Sequence, residues 1–290
     1  MTASTERSHG DVIVERTDDH LLLVRLNRPR LRNAIGGTIP IAIHRALDDA
    51  QHDDDIHAVV LGATGDHFCA GADLTGVDAH GSHDINELVH AGVLGGDHGL
   101  GDSSPNERRL DPLGPSRLAV RFLTLDKPIV AALHGAVVGG GLSLALLADV
   151  RVAAEDSRFS AGYIDAGLGP ELGLSWLLPR IAGHGAAVDL LIGGSTIGAA
   201  EAHRLRIADR LVGPGQAWDA AVELARKYAA QPSLAAQLTK RALRSAWTTS
   251  VETHMVNEWT SQRFLFTTDE FLGRLTAFQE RHRAGRQQSG

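Results

Sequence analysis

The chain has 290 residues, 43% of them apolar, a formal net charge of −7 and one cysteine, Cys69. That length is enough for one large core or two smaller ones, while the negative balance argues against a nucleic-acid partner, which requires Lys and Arg concentrated on one face. A lone cysteine excludes an intramolecular disulfide and a four-cysteine zinc site; with no long apolar run and no hydrophobic leader in Met1 to Gly10, a cytoplasmic protein without a membrane partner is expected.

In chain order, residues 1–10 read as a flexible tail. Val12 to Glu15 and Leu21 to Leu26 read as the strands of a hairpin through Thr17-Asp18-Asp19, and Pro29 ends the second. Arg28, Arg30 and Arg32 follow, as either a solvated turn or a phosphate contact. Thr38 is placed to cap a helix running to about Gln51, in which Ile39, Ile43, Ala46, Leu47 and Ala50 share one face. Asp53-Asp54-Asp55 closes it. Ala58 to Gly62 is apolar without alternation, which suits a parallel strand covered on both faces.

From 76 to 115 the pattern dissolves into Gly, His, Asp, Ser and Pro, with helical spacing only over Ile85 to Leu94, and reads as a mobile insertion at a pocket mouth. His80, His83, His90 and His98 lack a carboxylate in defined spacing, so solvated loop histidines are expected and no metal. Ile129 to Leu133 reads as a buried strand, Leu142 to Ala148 as a helix apolar all round and therefore buried, and Val150 to Ala154 and Arg158 to Ser160 as short strands. Beyond Gly213-Pro214 the chain becomes helical, with a stripe of Trp218, Ala221, Val222, Ala225, Tyr228 and Ala229, then amphipathic stretches at about Leu234 to Trp247, Val251 to Phe266 and Asp269 to Arg281. The domain plan is a core over 11–213 and a helical region over 214–290, whose aromatic residues suggest burial against another subunit.

Two glycine-bearing segments carry the chemistry: Phe68-Cys69-Ala70-Gly71-Ala72-Asp73, and Lys127-Pro128 through His134-Gly135 to Gly139-Gly140-Gly141. Each follows a β-branched apolar run and should present bare backbone N–H groups at a strand end. Two such donors meeting at one point form an oxyanion hole, and the helix that follows the triplet adds the positive end of its dipole. A dinucleotide-binding use is weak, because G-x-G-x-x-G with a later acidic residue is absent. Ser143 and His134 as nucleophile and base are also disfavoured, since no strained elbow surrounds the serine; a hydroxyl bonded to its own helix carbonyl is expected.

With Asn27-Arg28-Pro29, Asn33-Ala34 and Gly167-Leu168 plus Pro170 in the same order, these segments resemble the crotonase superfamily, the enoyl-CoA hydratase/isomerase family, over most of the chain. The resemblance implies an α/β spiral of stacked ββα units with a C-terminal helical region, a homotrimer or dimer of trimers, and an acyl-CoA substrate with no separate cofactor. By position it implies Ala70 and Gly140 as the oxyanion donors, Ala72, Asp73 and Leu74 along the adenine, Arg30 or Arg32 near the CoA phosphates, and Ala34 and Tyr163 as further substrate contacts. Hydratases of the family use two glutamates, and at those positions this chain has Ser143 and Tyr163, neither a competent base near neutral pH without a partner. The remaining carboxylate is Glu171, at about a position where some isomerases of the family carry an acid; its other reading is a helix-start carboxylate facing the dipole. One base suffices to move a double bond, so isomerisation is expected, with hydration or non-catalytic acyl-CoA binding as the alternatives. Burial would raise the Glu171 pKa into a useful range.

Overall fold

The computed structural model describes residues 5–73, 113–114 and 116–288. Its strands are β1 (Thr5–His9), β2 (Val12–Arg16), β3 (Leu21–Leu26), β4 (Ala58–Ala63), β5 (Ile129–Leu133), β6 (Ala136–Val138), β7 (Val150–Ala154), β8 (Arg158–Ser160), β9 (Thr196–Gly198) and β10 (Arg210–Val212). Its helices are α1 (Ile39–His52), α2 (Ser116–Thr124), α3 (Gly140–Leu147), α4 (Leu174–Ala182), α5 (His184–Leu191), α6 (Ala199–Arg204), α7 (Ala217–Ala229), α8 (Ser233–Ser245), α9 (Val251–Leu265) and α10 (Asp269–Gln288).

One sheet has the order β1-β2-β3-β4-β5-β7-β10, antiparallel through β3 and parallel beyond it; a second has the order β6-β8-β9. The chain passes from β5 to β6 to α3, and from β7 to β8, so successive turns place one strand in each sheet. This is the spiral α/β fold that the motifs imply.

Because side chains alternate along a strand, the large sheet has two apolar faces. Leu22, Val24, Val59, Leu61, Ile129 and Ala131 share a core with residues of α1, α2 and α3. Leu21, Leu23, Val60, Val130, Ala132 and Val152 pack with Ala217, Ala221, Leu224 and Ala225 of α7. Double coverage is why β4 and β5 read as unbroken apolar runs. Helix α3 is buried along its whole length, as its composition requires.

Three expectations change. Residues 5–9 are not tail but an edge strand, paired with β2 through main-chain hydrogen bonds that side-chain pattern does not report. Thr38 precedes α1 without capping it through its side chain; its Oγ1 instead accepts from the Asp11 N–H at 2.9 Å. The division between compact units falls at Ala229 and Ala230 rather than near 213, because α7 closes one face of the sheet. The 76–115 insertion, apart from residues 113 and 114, lies outside the described residues, with Ile85 to Leu94 and the four loop histidines.

The second unit, residues 230–290, contains α8, α9 and α10. It exposes Trp247, Val251, Met255, Trp259, Phe264 and Phe278. No helix among the described residues is long and apolar enough to cross a membrane.

Candidate active site

The two glycine segments meet backbone against backbone. Beyond β4 the chain runs beside β6, where Cys69 N–H donates to Ala136 O at 2.9 Å and Val138 N–H to Cys69 O at 2.9 Å. A Cβ on Gly139 would lie 3.4 Å from Gly71 Cα, and one on Gly141 only 2.6 Å from Cys69 O. The close approach therefore depends on residues without side chains. Behind it Cys69 is fully buried, and burial pushes its thiol up to about 12, far from a reactive thiolate.

Asn33 fixes this loop. Its side chain is wholly buried; Oδ1 accepts from Arg28 N–H at 2.7 Å, and Nδ2 donates to Thr64 O at 2.8 Å and His67 O at 2.7 Å. The φ of 53° at Asn33 lies in the left-handed region, which Asn tolerates better than most residues. Arg28 completes the clamp, with Nη2 2.8 Å from Asp73 Oδ2 and Nη1 donating to Ala34 O at 3.0 Å.

These bonds reassign one donor. The Ala70 N–H is bonded to Arg32 O at 3.0 Å, so it is not available to an oxyanion. The Ala72 N–H makes no hydrogen bond among the described residues, and Ala72 is exposed. Its direction is set by the bond from Ile35 N–H to Gly71 O at 2.7 Å: in a trans peptide the N–H opposes the C=O, so the Ala72 N–H points away from Ile35. Gly140 supplies the first N–H of α3, which has no intrahelical acceptor. No local signal distinguishes Ala70 from Ala72, because the orientation of that peptide is decided by Ile35, distant in sequence.

Other candidate positions separate into support and surface. Asp73 and Ala34 are held by Arg28, Ala34 is buried, and the Asp73 N–H bonds Ile35 O at 2.8 Å, so both belong to the scaffold of the loop. Arg30 and Arg32 are exposed and without an ion pair among the described residues, unlike Arg28. Leu74 lies outside the described residues. His134 Nε2 bonds Gly65 O at 3.0 Å and does not meet Ser143.

Glu171 follows the Gly167 to Pro170 loop and lies beside α3. Burial alone raises its pKa above the ordinary value, and its carboxylate has no hydrogen-bond or ion-pair partner among the described residues. Leu172, next in the chain, is buried at φ 53°, a conformation costing a non-glycine residue about 1–2 kcal/mol. The turn at Glu171 is thus held against its local preference. Ser143 Oγ touches Glu171 O at 3.3 Å, Gly139 O at 3.4 Å and Tyr163 Oη at 3.4 Å. Tyr163 is buried, and its phenol is pushed up by burial despite the hydrogen bond to Ser143, so it stays neutral. Asp165 is exposed, as suits a loop acid.

A surface cavity of about 870 Å³ lined by Val14, Arg16, Asp18, Asp53, Asp54 and Asp55, among others, contains none of these groups. Its acidic wall would repel the phosphates of CoA.

The profile of the enoyl-CoA hydratase/isomerase family matches residues 21–288. The chain is 35% identical over 281 residues to the probable enoyl-CoA hydratase EchA14 of Mycobacterium tuberculosis, covering 93% of this chain and 98% of that one. It is 28% identical over 280 residues to the 1,2-epoxyphenylacetyl-CoA isomerase of Escherichia coli, covering 92% and 95%. Among solved structures, a probable enoyl-CoA hydratase/isomerase from Mycobacterium abscessus superposes with a TM-score of 0.76 at 31% identity, covering 94% of this chain and 96% of the other.

Proposed function

The chain belongs to the enoyl-CoA hydratase/isomerase family, and from that premise we propose that it is an acyl-CoA isomerase in which the Ala72 and Gly140 N–H groups hold the thioester oxygen and Glu171 moves the proton. The observation that carries this reading is the combination of two N–H groups at the junction of the glycine segments with one half-buried carboxylate, all three without a partner among the described residues. Glu171 takes a proton from C2 of a 3-enoyl thioester. Its electron pair delocalises onto the carbonyl oxygen, where each N–H donor is worth about 3 to 4 kcal/mol of barrier. Glu171 then returns the proton to C4, leaving the 2-enoyl product with no net change in atoms.

Support for isomerisation over hydration comes from Ser143 and Tyr163. Where hydratases of the family place two carboxylates, these two hydroxyls are buried and bonded to each other, so neither is a base for water. A hydratase is the second reading, favoured by the name of the Mycobacterium tuberculosis relative.

Exposed Arg30 and Arg32 suit the CoA phosphates by charge and position, and no separate cofactor is required by this chemistry. The aromatic surface of residues 247–278 supports assembly as a homotrimer or dimer of trimers.

Incubation with 3-enoyl-CoA and 2-enoyl-CoA thioesters in D2O is the test. The expected result is interconversion with deuterium at C4 or C2 and no 3-hydroxyacyl-CoA. Net formation of 3-hydroxyacyl-CoA would assign hydration, and binding of both thioesters without turnover would assign a binder.

A further inference from the structure

We infer that Ser143 and Tyr163 form a hydroxyl latch on the main-chain carbonyl of Glu171, making them positioning residues for that carboxylate. The inference rests on Glu171 being the base of the proposed reaction.

Two contacts carry it. Ser143 Oγ is 3.3 Å from Glu171 O and 3.4 Å from Tyr163 Oη, with Gly139 O of its own helix as the competing acceptor at 3.4 Å. Each hydroxyl has one proton to give. One arrangement serves both contacts: Tyr163 O–H donates to Ser143 Oγ, and Ser143 O–H donates to Glu171 O. The relay ends on the Glu171 carbonyl, and each bond polarises the next.

The latch answers a requirement of the turn. Leu172 at φ 53° and Gly173 at φ 77° fold the chain back immediately after Glu171, and such a conformation at a leucine persists where its surroundings over-determine it. Ser143 lies on α3 one turn beyond Gly140, so the helix that presents an oxyanion donor also fixes the base. The titratable groups facing Tyr163 are Glu171 and Cys69, with no cation among those that perturb it. Carboxylates at positions 143 and 163 would serve a water molecule; hydroxyls there serve the backbone of a third acid.

The test follows Glu171 directly, using protein carrying 13C at the glutamate carboxyls, with the Glu171 signal assigned by its loss in Glu171→Gln. In Ser143→Ala and Tyr163→Phe the carboxyl is released toward water, so its titration should move down toward the ordinary glutamate value. The kcat for 3-enoyl-CoA should fall by roughly tenfold to 10²-fold with KM little changed, as expected for a misplaced base. Ser143→Thr, which keeps the hydroxyl, should recover most of both. Titration and kcat that match wild type in both variants would overturn the latch. Full turnover in Glu171→Gln would instead remove Glu171 as base, and the carboxyl titration alone would then decide whether the latch exists.

Discussion

The Ala70 N–H donates to the Arg32 carbonyl at 3.0 Å, which ties the strand exit to the turn that Asn33 anchors, while Ala72, two residues on, has an N–H without a partner among the described residues. The two alanines flank one glycine and do different work. Ala72→Pro deletes the proposed oxyanion donor and should lower kcat by about 10²- to 10³-fold, with acyl-CoA affinity by calorimetry largely kept. Ala70→Pro breaks a structural bond and should instead lower the thermal midpoint. Unchanged kcat in Ala72→Pro would return the donor to another amide.

Glu171 titration has consequences for activity and for stability, with opposite signs. Burial raises its pKa above the ordinary 4.5, so between the two values the native protein holds a proton that the unfolded chain has lost. Stability from this group is present in full below about pH 4.5 and is lost as pH rises through the native value. Activity requires the carboxylate, so kcat/KM should fall as pH drops through that same raised value. Glu171→Gln should abolish most turnover, about 10²- to 10⁴-fold, yet gain in urea midpoint relative to wild type as pH increases across the window. A wild-type acid limb at an ordinary glutamate pKa would contradict the desolvated carboxylate.

Replacing Asn33 should be costly although it touches no substrate. Asn33→Ala leaves the Thr64 and His67 carbonyls and the Arg28 N–H without their partner and places Ala at φ 53°. At about 1–3 kcal/mol for each buried unsatisfied group, the urea-derived stability should drop by about 3 kcal/mol or more. A loss under about 1 kcal/mol would mean that the turn is held by Arg28 and Asp73 alone.

Gly141 has no room for a methyl group. A Cβ there would sit 2.6 Å from Cys69 O and 2.7 Å from Cys69 Cβ, so α3 and the β4 exit would have to separate. Gly141→Ala should destabilise by about 1–3 kcal/mol, outweighing the helix-propensity gain of roughly 0.5–1 kcal/mol. Chemical denaturation reads the net sign, and a stabilised variant would show that the two segments are loosely packed.

Much of the scaffold was legible in the residues. β3, β5, β7, β8 and the buried face of α1 lie where apolar runs and spacing put them, because burial on one or two faces leaves a periodic imprint. β1 was not legible: Thr5–His9 is held by main-chain pairing, to which sequence pattern is blind. Nor was the placement of α7, whose stripe reads alike on a sheet or on a neighbouring helix.

The site divided in the same way. The sequence pointed to two glycine segments as the source of bare amides, and its family resemblance put Ser143 and Tyr163 where paired acids would be expected, with Glu171 as the carboxylate left. Only the tertiary structure decided that Ala70 rather than Ala72 has its N–H engaged among the described residues, and that the Ser143 hydroxyl, in contact with Tyr163, reaches the Glu171 carbonyl. The reason is physical. Residue type fixes which groups exist, whereas the direction of a peptide N–H or a hydroxyl is set by its partners, here Arg32, Ile35 and Glu171, which are neighbours in space and not in the chain.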